Sequence, residues 1–230
     1  MRKVNWKLAL KISGVLLCAF IFILFAVLIL QNDLNPLALD IAARDFCYDI
    51  RGEKYGFCYW FFRLITEFGN FYVIGLIVIV MIVWTKCDYR AILLMLGLFC
   101  SVLLNIALKG MYMRERPFAD LRWMNESSTS FPSGHSAAVG FLYPFIIYVV
   151  FHTNIHLFVK RILYGVCIVL IVLVMFSRMI LGVHYLSDVL AGLAVGIMVS
   201  CVFMQLYKVC VRYDFMTVGL FEKIKSDRKN

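Results

Sequence analysis

Charged residues, prolines and histidines are scarce in this sequence. Asp, Glu, Lys and Arg make up only 16% of the 230 residues, whereas soluble domains contain about 25%. Hydrophobic residues reach 63%, and only four prolines are present. This composition excludes disordered, collagen-like and disulfide-scaffold proteins, and it indicates a chain surrounded by lipid rather than water. Because no flexible linker is visible, we expect a single membrane-embedded domain over residues 1–230.

The cysteines and histidines show no spacing typical of a metal site. The eight cysteines include no CxxC pair, and there are only four histidines, so nothing has zinc-finger spacing. Four of the cysteines lie in apolar runs, where a thiol behaves as a small hydrophobic group. Cys47 and Cys58 share one polar connection, and the sequence leaves open whether they form a disulfide in an oxidising compartment.

Six apolar stretches predict an all-α, polytopic membrane protein with six transmembrane helices. Several are shorter than the roughly 20 residues that a span needs, and we expect the polar motifs at their ends to supply the missing turns. The first stretch follows four basic residues, as in a signal peptide, but its 19 residues and the lack of a small-residue cleavage site favour a retained span. The stretches are residues 12–30, 64–84, 91–108, 137–151, 162–176 and 189–207.

An aromatic segment lies between the first two stretches, at residues 55–62, with the sequence YGFCYWFF. It is too short to cross a bilayer, and Tyr and Trp favour the headgroup layer. We therefore predict an interfacial helix in the first extracytoplasmic connection. The alternative is that these aromatic side chains pack on the second span.

Basic residues are concentrated on one side of the predicted bundle. The segments on that side carry 14 Lys and Arg but only four Asp and Glu, so the positive-inside rule predicts cytoplasmic termini in the cell membrane. The net charge of +9 is then a topology signal and an attraction to anionic lipid. We accordingly predict no nucleic-acid partner. The basic side consists of residues 1–11, 85–90, 152–161 and a tail at 208–230.

Lys109 and Arg116 flank the end of the third span. They are seven residues apart, or two helical turns, and therefore lie on one face of the helix before Pro117 ends it. Two cations that reach one point suit a phosphate group. The alternative is that both side chains extend to lipid headgroups.

The fourth span is preceded by the sequence FPSGH, at residues 131–135. The start of a helix exposes backbone N–H groups and the positive end of the helix dipole, and both favour an anion. Ser133 adds a hydroxyl donor, Gly134 permits close approach of the anion, and His135 is placed to donate a proton. The alternative is a helix-capping turn with a solvated histidine.

Arg178, His184 and Asp188 form a third polar group. Arg178 ends the fifth span and adds a third cation, while His184 and Asp188 are four residues apart and share one helical face at the start of the sixth span. A carboxylate bonded to one imidazole nitrogen leaves the other nitrogen free to attack. The alternative is a structural His–Asp pair. All three polar groups fall on one predicted side of the membrane, and ionisable residues at membrane depth are typically functional.

Together the three segments resemble the signature motifs of the type-two phosphatidic acid phosphatase superfamily, the membrane lipid phosphate phosphatases. The family pattern is K-x6-RP, PSGH and SR-x5-H-x3-D, and the chain matches it from Lys109 to Asp188 without departure. The resemblance implies that His184 is a nucleophile that forms a phosphohistidine, that Asp188 orients it, and that His135 protonates the leaving alkoxide. It implies that no metal or other cofactor is required. The positions that match the phosphate-binding residues are Lys109, Arg116, Ser133, Gly134 and Arg178.

The resemblance and the predicted topology also imply a substrate class. A site at the outer headgroup layer suits a lipid phosphate that enters laterally from the outer leaflet. Compact bacterial members of the family include phosphatidylglycerophosphate phosphatases and undecaprenyl pyrophosphate phosphatases. The sequence PSGH, rather than PSDH, favours phosphatidylglycerophosphate or a broad range of lipid phosphates.

Two other classes of protein could use the same residues. An anion or lipid transporter would use the cations as a binding site, but transporters often show repeated halves, and this sequence shows no repeat. A catalytically inactive membrane scaffold would not need the complete set of catalytic residues that the motifs supply.

Overall fold

The computed structural model describes residues 6–212, with side chains from residue 12 onward. Over these residues the chain is all-helical, as predicted from the sequence. The basic residues before position 12 and the part of the predicted tail beyond Arg212 lie outside the described side chains. The helices are α1 (Trp6–Gln31), α2 (Ala38–Arg51), α3 (Phe57–Glu67), α4 (Phe71–Trp84), α5 (Tyr89–Tyr112), α6 (Gly134–Phe151), α7 (Leu157–Ile180) and α8 (Leu186–Arg212), with a 3₁₀ turn at Ala119–Leu121.

Five helices are long and apolar enough to cross a membrane, namely α1 over Ile12–Gln31 and α5 to α8. The pair α3 and α4 is apolar enough to form a sixth crossing, but it is bent by 44°. The second span, predicted as continuous over 64–84, is therefore broken. The break follows from Asn70, which precedes α4 in an extended conformation and donates its side-chain amide to Oε2 of Glu67 (2.7 Å). The chain is a multi-pass membrane protein.

The connection after α1 holds two helices, of which only one was predicted. The unpredicted helix is α2. The predicted interfacial helix corresponds to α3, which begins at Phe57 and extends five residues beyond the aromatic segment. One face of α3 packs on α7, where the ring centroids of Phe62 and Phe176 are 5.6 Å apart. The other face exposes Phe57 and Trp60. The helix thus combines packing on the bundle with an aromatic face that suits a headgroup layer.

The central pair of helices, α6 and α8, run in the same direction with their backbones in contact. A Cβ atom at Gly192 or Gly196 would collide with the carbonyl oxygens of Ser133 and Ala137, so only glycine permits this approach. The remaining spans surround the pair, with α1 and α5 packing on α8 and with α7 packing on α6. The close contact brings the first turn of α6 next to the first turn of α8.

All eight cysteines lie within residues 6–212, and all are free thiols. Cys47 and Cys58, whose pairing the sequence leaves open, share an apolar cluster with Trp123 rather than a bond. Burial raises the pKa of the Cys47 thiol to about 11, so this thiol is protonated near neutral pH.

Candidate active site

The three polar segments predicted from the sequence meet at one end of the α6–α8 pair. Two helices, α5 and α7, end there, and α6 and α8 begin there. The backbone joins two of the segments directly, because the amide of Ser133 donates to the carbonyl oxygen of Asp188 (3.0 Å). Side chains that are distant in sequence therefore converge on one small region.

His184 lies in the turn between α7 and α8. Gly182 has a φ of +72°, and a Cβ atom there would lie 3.0 Å from the hydroxyl of Tyr48, so the turn requires glycine. The amides of Val183 and His184 both donate to the carbonyl oxygen of Arg178 (3.1 and 3.3 Å). The backbone thus holds His184 and Arg178 as one unit, and His184 is only 4% exposed.

The imidazole of His184 has a defined orientation. Its Nε2 atom lies 3.1 Å from Nη1 of Arg116, and its Nδ1 atom lies 3.5 Å from Oδ2 of Asp188. Because a guanidinium group only donates, Nε2 is the acceptor and the neutral ring carries its proton on Nδ1. Burial, followed by the charges of Arg116, Arg178 and Lys109, lowers the pKa of His184 well below its usual value. The ring is therefore neutral near pH 7, with an unprotonated Nε2.

Asp188 is fully buried, and both of its carboxylate oxygens are bonded. Oδ1 accepts a hydrogen bond from Nη1 of Arg114 (2.6 Å). Oδ2 accepts from the amide of Tyr185 (2.9 Å) and from the hydroxyl of Ser130. A buried carboxylate is stable only with such donors, so Asp188 is anchored independently of His184.

His135 is the second residue of α6 and is half-buried, with Nε2 lying 3.5 Å from Nη1 of Arg178. The preceding Ser133 is fully buried and caps the helix, since its hydroxyl oxygen accepts from the amide and hydroxyl of Ser136 (3.4 and 3.1 Å). Gly134 begins α6, and a Cβ atom there would lie 3.2 Å from a side-chain oxygen of Asn105. The segment is the start of a helix, as predicted, and the histidine faces a cation rather than solvent alone.

The three predicted cations approach from α5, from the connection that follows it and from α7. Lys109, on α5, donates to the carbonyl oxygen of Thr129. Arg116 is not on the helix, contrary to the prediction, because α5 ends at Tyr112; it donates to the carbonyl oxygen of Ser128 (2.6 Å). Burial lowers the pKa of Arg116 to about 10, which leaves the guanidinium charged at neutral pH. The charge of Arg116 therefore persists at a site that is largely removed from water.

Arg178, on α7, is fully buried but not fully bonded. Its Nη1 atom donates to Oγ1 of Thr66 (2.8 Å) and its Nη2 atom to Oε1 of Glu126 (2.5 Å), whereas Nε has no hydrogen-bond partner among residues 6–212. Glu126 also lies 3.9 Å from Arg116. Although burial raises the pKa of Glu126, the charge and hydrogen bond of Arg178 lower it overall. An ionised carboxylate thus lies between two of the cations.

Two cavities adjoin these side chains. A cavity of about 760 Å³ lies between α4, α5 and α6, is lined almost entirely by apolar groups such as Phe99, and reaches Gly134 and His135. A polar cavity of about 390 Å³ is lined by Arg116, Glu126 and neighbouring serines. Within residues 6–212, no group of three or more His, Cys, Asp or Glu side chains is arranged to hold a metal ion. The site therefore adjoins one apolar cavity, suited to an acyl chain, and one polar cavity.

Among the residues not identified from the sequence are Arg114, Thr66 and Glu126, which contact predicted residues, and Asp40, which contacts Arg114. Arg114 carried a usable signal, because a charge at the end of a span is typically functional. Asp40 is the third residue of α2, where an acidic side chain is an ordinary helix-start feature. Thr66 and Glu126 have no distinguishing pattern. Their side chains reach the site only through contacts between residues distant in sequence.

The fold and the convergence of these motifs define the class of protein. The sequence profile of the PAP2 superfamily matches residues 90–212, which correspond to α5 through α8. The chain belongs to the PAP2 superfamily and is a membrane-embedded lipid phosphatase.

Individual relatives agree with this class. The chain is 36% identical to phosphatidylglycerophosphatase B of Bacillus subtilis over 171 residues, which cover 72% of this chain and 76% of that protein. The transmembrane PAP2-type phosphatidylglycerolphosphate phosphatase of B. subtilis, solved as a crystal structure, matches with a TM-score of 0.71 and 28% identity, over 85% of this chain and 96% of that one. LpxE of Aquifex aeolicus shares the fold, with a TM-score of 0.61 and 22% identity, over 74% and 96% of the two chains. The family resemblance seen in the sequence is confirmed.

Proposed function

We propose that this protein hydrolyses phosphatidylglycerophosphate to phosphatidylglycerol through a phosphohistidine on His184, and that undecaprenyl pyrophosphate is a second substrate. The observation that carries the proposal is the orientation of His184, whose unprotonated Nε2 faces Arg116. A neutral imidazole beside fixed cations suits attack on a phosphate dianion. The similarity to phosphatidylglycerophosphatase B supports the choice of the first substrate.

The reaction takes two displacement steps. Nε2 of His184 attacks phosphorus, so that a P–N bond forms and the P–O bond to the lipid breaks, while His135 donates a proton to the departing alkoxide. The phosphorylated ring is cationic, and Asp188 stabilises it through Nδ1. Water then attacks phosphorus, so that a new P–O bond forms and the P–N bond to His184 breaks, while His135 accepts a proton from the water and inorganic phosphate leaves. With a pyrophosphate, the bond that breaks is P–O–P and the leaving group is the lipid monophosphate.

The phosphate oxygens bind to the cations and to the start of α6. Lys109, Arg116 and Arg178 together offset the negative charge on the equatorial oxygens of the transferring group. The Nε–H of Arg178, which has no hydrogen-bond partner in the described part of the chain, is an available donor for one of those oxygens. The backbone at Ser133 and Gly134 contributes the positive end of the α6 dipole.

The lipid tail occupies the apolar cavity between α4, α5 and α6. This cavity ends at His135, the residue that protonates the leaving oxygen of the lipid. A substrate that lies in the cavity therefore has its headgroup phosphate at the cations and its acyl chains among apolar side chains such as Phe99 and Val102. Lateral entry from the bilayer needs no passage of the chains through water.

We also propose that residues 1–230 form one domain with both termini in the cytoplasm and the active site on the extracytoplasmic side. Support comes from the 14 Lys and Arg in the segments on the opposite side. In spheroplasts, a C-terminal tag is expected to resist added protease until the membrane is permeabilised. Digestion of the tag in intact spheroplasts would contradict this orientation.

The substrate is tested by phosphate release from a panel of lipids in detergent with EDTA present. We expect the highest kcat/KM with phosphatidylglycerophosphate, measurable turnover of undecaprenyl pyrophosphate, and no loss of activity on chelation. A higher kcat/KM for phosphatidic acid than for both would contradict the substrate assignment while leaving the reaction class intact. Transport of lipid phosphate in liposomes without hydrolysis would contradict the reaction class as well.

The covalent intermediate is tested separately by rapid acid or base quenching with ³²P-labelled lipid. A phosphohistidine is stable to base and labile to acid, so we expect labelled protein after base quenching and its loss on acid treatment. The label should be absent from the His184→Asn variant. Label that persists in that variant would show that another residue is the nucleophile.

A further inference from the structure

Arg114 is a buried cation that the proposed phosphate-binding set does not use. Its side chain is 0% exposed and contacts one carboxylate oxygen of Asp188, whereas His184 lies near the other. Nη1 donates to Oδ1 of Asp188 (2.6 Å) and to the hydroxyl of Ser187 (2.8 Å), and Nη2 donates to Oδ2 of Asp40 (2.8 Å). All of these groups are fully buried. A guanidinium in such a place must be held by ionised partners, because an unpaired buried charge is strongly destabilising.

Asp40 is the residue that fixes Arg114 from the other side. Oδ1 of Asp40 accepts from the amide of Ser187 (2.8 Å), and Oδ2 accepts from the Ser187 hydroxyl (2.8 Å) and the amide of Leu37 (3.1 Å). Asp40 thereby joins the start of α2 to the start of α8. The planar fork of Arg114 is held between two carboxylates that come from different helices.

The two carboxylate oxygens of Asp188 have different partners. Oδ1 is occupied by Arg114, while Oδ2 faces Nδ1 of His184 and is further held by Tyr185 and Ser130. The carboxylate cannot rotate without breaking the bond to Arg114. One guanidinium between two carboxylates also leaves a net charge of −1, which faces the ring that becomes cationic during phosphoryl transfer.

We propose that Arg114 and Asp40 are positioning residues for His184: Asp40 holds Arg114, and Arg114 holds Asp188 in the orientation that directs Oδ2 at Nδ1 of the nucleophile. The inference rests on the proposed role of His184. It assigns a function to α2, because the carboxylate that completes the chain of contacts comes from that helix.

A double-mutant cycle separates positioning from a general structural role. We expect Arg114→Gln to lower kcat by at least about 30-fold, as loss of a supporting contact typically does, with KM changed by less than about threefold. In an Asp188→Asn background the same substitution should cost about threefold or less, since the contact through which it acts is already lost. Equal losses in both backgrounds, or an unchanged kcat in the single variant, would overturn the proposal.

Milder variants guard against a failure to fold. Asp40→Asn keeps the shape of the side chain and removes one charge, and it should lower kcat about tenfold, again without the effect in the Asp188→Asn background. Arg114→Lys keeps the charge but loses the fork, and we expect partial activity between wild type and Arg114→Gln. The matched control is Asp45→Asn, which makes the same change of charge at an exposed position of α2 and should leave kcat unchanged.

A readout without substrate distinguishes this proposal from the proposed function. In detergent, ¹⁵N-histidine NMR should show a hydrogen-bonded Nδ1–H signal that disappears in His184→Asn. Because Arg116 lies against Nε2, we expect Asp40→Asn to keep the proton on Nδ1 but to shift that Nδ1–H signal upfield, since the acceptor at Nδ1 is no longer fixed. If wild type releases phosphate from no lipid, the proposed function fails, and the Nδ1–H signal still decides the positioning role. An Nδ1–H signal unchanged in both Asp40→Asn and Arg114→Gln would overturn that role.

Discussion

The four histidines form two pairs at opposite ends of α6. His135 lies in the first turn of the helix and His152 immediately follows its last turn, so they are about 25 Å apart along the axis. His184 lies beside the first and His156 follows the second closely in sequence. The same residue type therefore occurs in two settings within one bundle.

The contacts of the two pairs differ in their distance along the chain. His152 is bonded to the carbonyl oxygen of Tyr148 (2.8 Å), four residues earlier, and His156 accepts from the amide of Phe158 (3.3 Å). Both are exposed. His184, by contrast, is buried and contacts Arg116, 68 positions away.

The difference shows that a histidine becomes suitable for catalysis through its long-range contacts with buried charged side chains, and not through its residue type alone. A local hydrogen bond finishes a helix end and leaves the ring solvated. Long-range contacts set which nitrogen carries the proton, remove water and place cations nearby. Three tests, in order of decreasing effect, examine this contrast.

The largest difference is expected between His184 and His156. We expect His184→Asn to lower phosphate release by at least about 1000-fold, because the nucleophile is lost. The matched variant His156→Asn should retain activity within about twofold of wild type. Turnover of lipid phosphate by His184→Asn at the wild-type rate would remove the distinction between the two pairs.

The second comparison is between His135 and His152. We expect His135→Gln to lower kcat for a lipid phosphate by about 100- to 10,000-fold, since an alkoxide needs a proton to leave. With p-nitrophenyl phosphate the leaving group needs no proton, so the first turnover should survive as a burst followed by slow hydrolysis. His152→Gln should behave as wild type. Loss of the burst in His135→Gln would show that this residue does not act as the acid.

The smallest effect is expected from Glu126, whose negative charge offsets part of the positive charge of the cations. Glu126 is bonded to Arg178, where vanadate, as a phosphate analogue, is expected to bind. Glu126→Gln should therefore tighten vanadate inhibition roughly fivefold, the equivalent of about 1 kcal/mol. Asp120→Asn makes the same change of charge at an exposed position of the same connection and should have little effect. Weaker inhibition in Glu126→Gln would show that the carboxylate mainly holds Arg178 in place.

The sequence was sufficient to predict residues whose spacing is fixed by a helix or a short motif. Motif spacing predicted that Lys109 and Arg116 reach one region and that His184 lies beside Asp188, but the expected shared helical faces were wrong. Arg116 lies beyond the end of α5 and His184 lies before the start of α8. The apolar stretches predicted five of the six spans to within five residues, because burial in lipid demands long apolar runs, whereas the second span proved to be broken. Their convergence at one end followed from counting crossings.

Residues that are held by long-range contacts could not be predicted from local sequence patterns. Asp40 and Arg114 are 74 positions apart, and no local pattern links them. The helix α2 is short and half polar, so it lacks the apolar run that identified the spans. The break before α4 had a signal in Glu67, Gly69 and Asn70, but the apolar residues around them outweighed it in the prediction.

The bond between the amide of His184 and the carbonyl oxygen of Arg178 has a consequence for adaptation to new lipids. Since the proposed nucleophile and the cation belong to one rigid turn, a larger or smaller headgroup cannot be accommodated by changing their separation. Selection for altered specificity should instead gather mutations along the apolar cavity and in residues 118–130, while residues 177–188 stay constant. The lipid specificity of the protein can thus change while the turn that holds His184 and Arg178 stays the same.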